Sequence, residues 1–167
     1  MQNLKTILKQ KLENPQRVAI LGVGSDLRAD DIAGILASQH IEKIAAKKTP
    51  PPELRVFIGA TAPENLTGEI KKFNPTHLII IDSADLNDKP GQIAVLDPKH
   101  VGNPSFCSHS LPLEVMTNYL LQSCNFEAII IGIQPKSLVV GKSPSKEVLA
   151  ACKLLAKTLS KILYNQS

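Results

Sequence analysis

The sequence predicts an α/β fold, a three-layer α/β/α domain built on a mostly parallel five-stranded sheet with one antiparallel strand. Three observations predict it. Short apolar, β-prone runs near residues 18–22, 54–58, 77–82 and 128–133 are separated by stretches with apolar residues at helical spacing, the rhythm of a parallel sheet with helical crossovers. The runs at 77–82 and 128–133 are continuous rather than alternating, which places them in a sheet covered on both faces. A fifth run, at 92–96, follows its predecessor through Lys89-Pro-Gly91, a turn and not a helix, and is therefore expected to be antiparallel.

Each element has its own local reason. In residues 1–16, Leu4, Ile7, Leu8 and Leu12 recur at helical spacing among polar residues, with no apolar core or small-residue cleavage site of a signal peptide. This segment reads as an amphipathic helical extension of a single domain spanning 1–167. The strand at 18–22 ends in Gly22-Val-Gly24, and Asp30-Asp31 then opens a helix over about 31–47, with Ile32, Ile35, Leu36 and Ile41 at helical period. Thr49-Pro-Pro-Pro52 stops that helix and runs extended into the strand at 54–58. Thr61 and Pro63 suit a helix start, and the helix runs to about Phe73, where Asn74-Pro75 breaks it. The run at 77–82 is placed centrally in the sheet. Residues 97–110 form a long irregular loop, a length often found at functional sites. Ser110 and Pro112 open a helix to about Ser123, and Ser145 through Tyr164 is the closing amphipathic helix.

Composition excludes several classes. A chain of 167 residues with 43% hydrophobic content can bury a full core, and no stretch approaches the roughly 18 uninterrupted apolar residues of a membrane span. The cysteines, Cys107, Cys124 and Cys152, are odd in number, widely spaced and contain no C-x-x-C pair, which argues against a disulfide framework or a structural zinc site and points to a cytoplasmic setting. The net charge of +4 comes mostly from lysines that read as solvated helix faces. With four Phe, two Tyr and no Trp there is no stacking platform, so nucleic acid is not an expected partner.

The chemistry is expected at the carboxyl ends of the parallel strands, where open α/β sheets place their ligands. Asp31 lies just after the first strand, at a helix N-terminus where the dipole favours a charged carboxylate and where the sheet's edge is expected to be solvated. Asp82 leaves the carboxyl end of the central strand. His109, in Ser108-His-Ser110 ahead of a helix, is the histidine placed in a plausible loop; His40 falls within a helix and His77 opens a strand. Two carboxylates and an imidazole suit a mixed oxygen and nitrogen metal site with open positions. Asp31 alone could be a helix-start acid, and Asp82 could cap its loop. Gly22 and Gly24 suggest a dinucleotide fingerprint, but Leu27 stands where its third glycine would be, and two acids would repel a pyrophosphate. A cysteine hydrolase using Cys107 with His109 ranks last, because groups two residues apart rarely align as nucleophile and base.

Five ordered segments carry a resemblance. Gly22-Val-Gly24-x-x-Leu27-x-x-Asp30-Asp31, Thr61-Ala-Pro-Glu-Asn65, Ile80-Ile-Asp-Ser-Ala-Asp85, Ser108-His-Ser-Leu-Pro-Leu113 and Gly132-Ile-Gln-Pro135 resemble the motifs of the [NiFe]-hydrogenase maturation endopeptidases, particularly the hydrogenase-3 type. The fold this implies is the phosphorylase/hydrolase-like three-layer arrangement. The function it implies is removal of a C-terminal peptide from the precursor of a hydrogenase large subunit after nickel insertion. The resemblance puts the three metal-contacting positions on Asp31, Asp82 and His109, with Asp85 and Glu64 as further candidates for the same cleft. It also implies that nickel arrives with the substrate and that the free enzyme holds no tight metal of its own. A non-catalytic accessory protein that binds the nickel-loaded precursor is the alternative. Ser25, Ala29 and Ile32 depart from the family's usual Asn, Gly and Gly, so the turn before Asp31 must form without a glycine's freedom at positive φ.

Overall fold

A computed structural model describes residues 2–49, 52–96 and 110–164. The sheet has the order β2-β1-β3-β5-β4, with β1 at Arg17–Val23, β2 at Glu53–Ala60, β3 at His77–Ser83, β4 at Ile93–Leu96 and β5 at Glu127–Ile133. Strands β2, β1, β3 and β5 run parallel, and β4 pairs with β5 antiparallel through Ile93–Ile133 and Val95–Ile131. The expected strand set, the central place of β3 and the reversed edge strand are all observed.

Helices cover both faces, for a reason visible in β3. All seven of its residues are buried, and successive side chains go to opposite faces. Ile79 and Ile81 join a cluster with helices α1 (Gln2–Lys11), α2 (Ala33–Ala45) and α5 (Lys146–Tyr164), whereas Leu78 and Ile80 join one with α3 (Thr67–Phe73) and α4 (Ser110–Ser123). Two of the expected helices begin with a turn of 3₁₀ geometry, Ala29–Ile32 before α2 and Pro63–Leu66 before α3. Among the described residues no helix is long and apolar enough to cross a membrane.

The N-terminal segment is more than an appendage. Leu8 and Leu12 are completely buried in the cluster shared with α2 and α5. The ion pair of Lys11 with Glu127, at 2.9 Å, ties α1 to the start of β5 but is too exposed to add much stability. Apolar burial holds the helix in place, and truncating Leu8 to Ala would cost about 2–5 kcal/mol.

Two glycines let α2 and its lead-in approach the sheet closely. A Cβ on Gly34 would lie 2.0 Å from the carbonyl oxygen of Ile81 and 2.3 Å from that of Val23, so the first turn of α2 rests on the ends of β3 and β1. Gly24, at φ +144°, would carry a Cβ only 1.9 Å from the carbonyl oxygen of Asp31. Ala29, by contrast, adopts φ +41° with a side chain present. This is the turn that the sequence had to build without glycine. A left-handed non-glycine residue costs about 1–2 kcal/mol.

Ala29→Gly should therefore hold or raise stability by about 0.5 kcal/mol, the relief being offset in part by the greater freedom of glycine in the unfolded chain. Ala29→Val, β-branched at positive φ, should lower it by more than about 1 kcal/mol. Urea midpoints at constant slope check both.

His77 provides a second check. It is buried, with Nδ1 2.9 Å from the Thr76 hydroxyl, and burial pushes its pKa below the ordinary 6.5 while the charge of Glu127 opposes the shift. A histidine whose folded pKa is depressed contributes stability that is present above the unfolded value and lost as the pH falls through the folded one. The urea midpoint should fall further from about pH 7.5 to about pH 5 in the wild type than in His77→Gln.

Candidate active site

Strands β1 and β3 are adjacent and parallel, so the segments leaving their carboxyl ends share one edge of the sheet. Asp31 comes from the 3₁₀ turn after β1, and Asp82 and Ser83 are the last residues of β3. Ser83 connects the two acids. Its hydroxyl donates to Asp31 Oδ1 at 2.9 Å, and its backbone N–H donates to Asp82 Oδ1 at 2.8 Å. By strand alternation Ser83 continues the α2 side of the sheet, towards Asp31, and Asp82 continues the side covered by α3 and α4.

The expectation of a solvated edge is corrected for Asp31. Its side chain is completely buried, because the turn packs it between β3 and the first turn of α2. Oδ1 is taken by Ser83. Oδ2 is buried and accepts no hydrogen bond, and the Arg28 guanidinium lies 3.5 Å away, supplying charge without a hydrogen bond. The Arg28 side chain is itself 42% exposed. Asp31 thus presents one oxygen committed to Ser83 and one held by an ion pair without a hydrogen bond.

His109 and Cys107 lie outside the described residues; His109 directly precedes Ser110, where α4 begins. Among the described residues no three His, Cys, Asp or Glu side chains form a group able to hold a metal ion. The two further candidates are solvent-facing. Asp85 is exposed and its carboxylate accepts the N–H of Asn87 at 3.0 Å, and Glu64 is exposed in the turn before α3.

Sequence reasoning missed two residues. Ser83 is one, and Asp30 is the other. Asp30 is 1% exposed, and its carboxylate accepts three backbone N–H groups: Ser145 at 2.6 Å on Oδ1, and Lys136 at 2.8 Å and Ser137 at 3.1 Å on Oδ2. Its own N–H donates to the Ser137 carbonyl at 3.0 Å. Asp30 therefore pins the turn before α2 to the loop between β5 and α5, and consecutive acids divide into a brace and a carboxylate with one oxygen outside any hydrogen bond. Gln134, in the last of the five motifs, does similar work for the segment after β3, accepting the N–H of Leu86 at 2.6 Å on its side-chain oxygen.

Asp30→Ala would leave three backbone donors without their charged acceptor and should cost about 2–4 kcal/mol. Asp31→Asn, which keeps an acceptor for Ser83, should change stability by less than about 1 kcal/mol. Chemical denaturation of the two variants checks the contrast, and hydrogen exchange at Lys136, Ser137 and Ser145 should accelerate only in the first.

Comparison with known proteins agrees with this fold. The family model for the HycI hydrogenase maturation proteases matches residues 38–162. A candidate hydrogenase maturation protease of Methanocaldococcus jannaschii is 32% identical over 96% of this chain and 96% of its own length. The hydrogenase 3 maturation protease of Escherichia coli is 35% identical over 70% of this chain and 71% of its own. Among solved structures, the [NiFe]-hydrogenase maturation protease HycI of Thermococcus kodakarensis superposes with a TM-score of 0.82 at 25% identity, covering 94% of this chain and 98% of that one. The maturating endopeptidase HybD of E. coli superposes with a TM-score of 0.68 at 26% identity, covering 89% and 90%. With its mostly parallel sheet and a family match across most of its length, the chain belongs to the hydrogenase maturation proteases.

Proposed function

We propose that the protein removes the C-terminal peptide of a [NiFe]-hydrogenase large-subunit precursor once nickel has been inserted, and that it recognises the precursor through that nickel. The observation that carries the reading is the hydrogen bond from Ser83 to Asp31 beside Asp82, at the end of the central strand. It fixes Oδ1 of Asp31 and leaves Oδ2 buried without a hydrogen bond, the state of an anionic oxygen suited to a cation brought from outside. His109, the residue before Ser110 in the sequence, would supply the nitrogen contact.

In this reading nickel is part of the substrate. Arg28 compensates Asp31 in the free enzyme and swings outward when the precursor enters. Asp31, Asp82 and His109 then hold the precursor's metal centre, and one peptide bond is fixed in place. Rate comes from that orientation, since an intramolecular geometry can replace about 7–11 kcal/mol of barrier; a water attacks the positioned carbonyl, the C–N bond breaks, one proton of the water passes to the leaving amine and its oxygen becomes part of the new C-terminal carboxyl group.

Incubation of the purified protein with nickel-loaded precursor should yield a product shortened at its C terminus, read by intact mass. Asp31→Asn should slow that cleavage by about 100-fold or more while the fold is retained. Cleavage by Asp31→Asn at the wild-type rate would overturn the assignment, and tight binding by the wild type without any cleavage would indicate an accessory protein instead.

A further inference from the structure

We propose that Leu27, Val139 and Val140 form an apolar docking ridge for the precursor surface beside the cleaved peptide; this rests on the function proposed above. Leu27 is the apolar member of the first motif, yet packing does not account for it, since it is 68% exposed. Val139 and Val140 are 50% and 71% exposed. Single exposed apolar residues are ordinary, but these three come from two loops that are joined. The N–H of Gly141 donates to the Leu27 carbonyl at 2.9 Å, and Asp30 clamps the bases of the same loops through Lys136, Ser137 and Ser145.

The ridge is also held in shape. Within its own turn, the N–H of Leu27 donates to the Ser25 hydroxyl at 3.3 Å, and the N–H of Val139 donates to the Ser137 hydroxyl at 3.3 Å. Ordered loops lose little conformational freedom on binding, so apolar contact there converts efficiently into affinity. The occupant follows from position. Leu27 and Asp31 lie in one short segment between β1 and α2, so a precursor whose metal centre reaches Asp31 must lay neighbouring surface over Leu27 and the loop bonded to it. That surface is therefore expected to be apolar, and its recognition independent of nickel.

The test uses the double variant Leu27→Ser/Val140→Ser, with Leu27→Met/Val140→Ile as its conservative counterpart. For cleavage of nickel-loaded precursor, the serine variant should raise KM by about tenfold or more, with kcat at saturation within about twofold and thermal stability unchanged. The conservative variant should stay within about twofold of wild type in both constants. Binding of nickel-free precursor, measured by calorimetry, should weaken in the serine variant by a similar factor. An unchanged KM and unchanged binding would overturn the ridge. If the wild type does not cleave at all, the proposed function fails, and the calorimetric comparison alone decides the ridge: equal binding overturns it and weakened binding upholds it.

Discussion

One buried carboxylate organises the working edge of this protein. Asp30 accepts the backbone N–H groups of Lys136, Ser137 and Ser145, and so ties the turn after β1 to the loop before α5. Hydrogen bonds to a charged acceptor are stronger than neutral ones, and three of them hold an irregular loop that has no strand or helix of its own to do so. The turn they fix is the one that presents Asp31, and the loop they fix carries the exposed valines.

The neighbouring acids therefore behave differently for a simple reason. Asp30 faces backbone donors and is fully satisfied. Asp31 faces the strand end, where one serine hydroxyl takes one oxygen and leaves the other to Arg28 at 3.5 Å. A buried carboxylate with such a loose partner is costly, so Asp30 serves as a brace while Asp31 keeps one oxygen that is only partly compensated. Close approach makes this possible. Without side chains on Gly24 and Gly34, the turn and the first turn of α2 sit against the strand ends, and the acids reach the edge of the sheet.

Most of the fold was legible in the sequence because strands buried on both faces leave continuous apolar runs. Residues 77–82 and 128–133 became β3 and β5, and the short turn at Lys89-Pro-Gly91 correctly implied the reversed β4. Ala29 was legible as a departure from glycine, but that it keeps a positive φ with a side chain present was not. The division between Asp30 and Asp31 was not legible, since the partners of Asp30 lie more than a hundred residues away and are backbone groups that no side-chain pattern reveals. The burial of Asp31 was missed for a related reason: a strand end looks solvated in sequence, and only the packed first turn of α2 closes it. Ser83 was visible beside Asp82, but its bond to Asp31 depends on two strands being neighbours.

Nickel recognition by Asp31, Asp82 and His109 is the claim on which the proposed function turns. The most direct measurement is the intact mass of the large-subunit precursor after incubation with the purified protein, with nickel-loaded and nickel-free precursor treated in parallel. Shortening of the nickel-loaded form alone is the expected result. Equal shortening of both forms would contradict recognition through the metal.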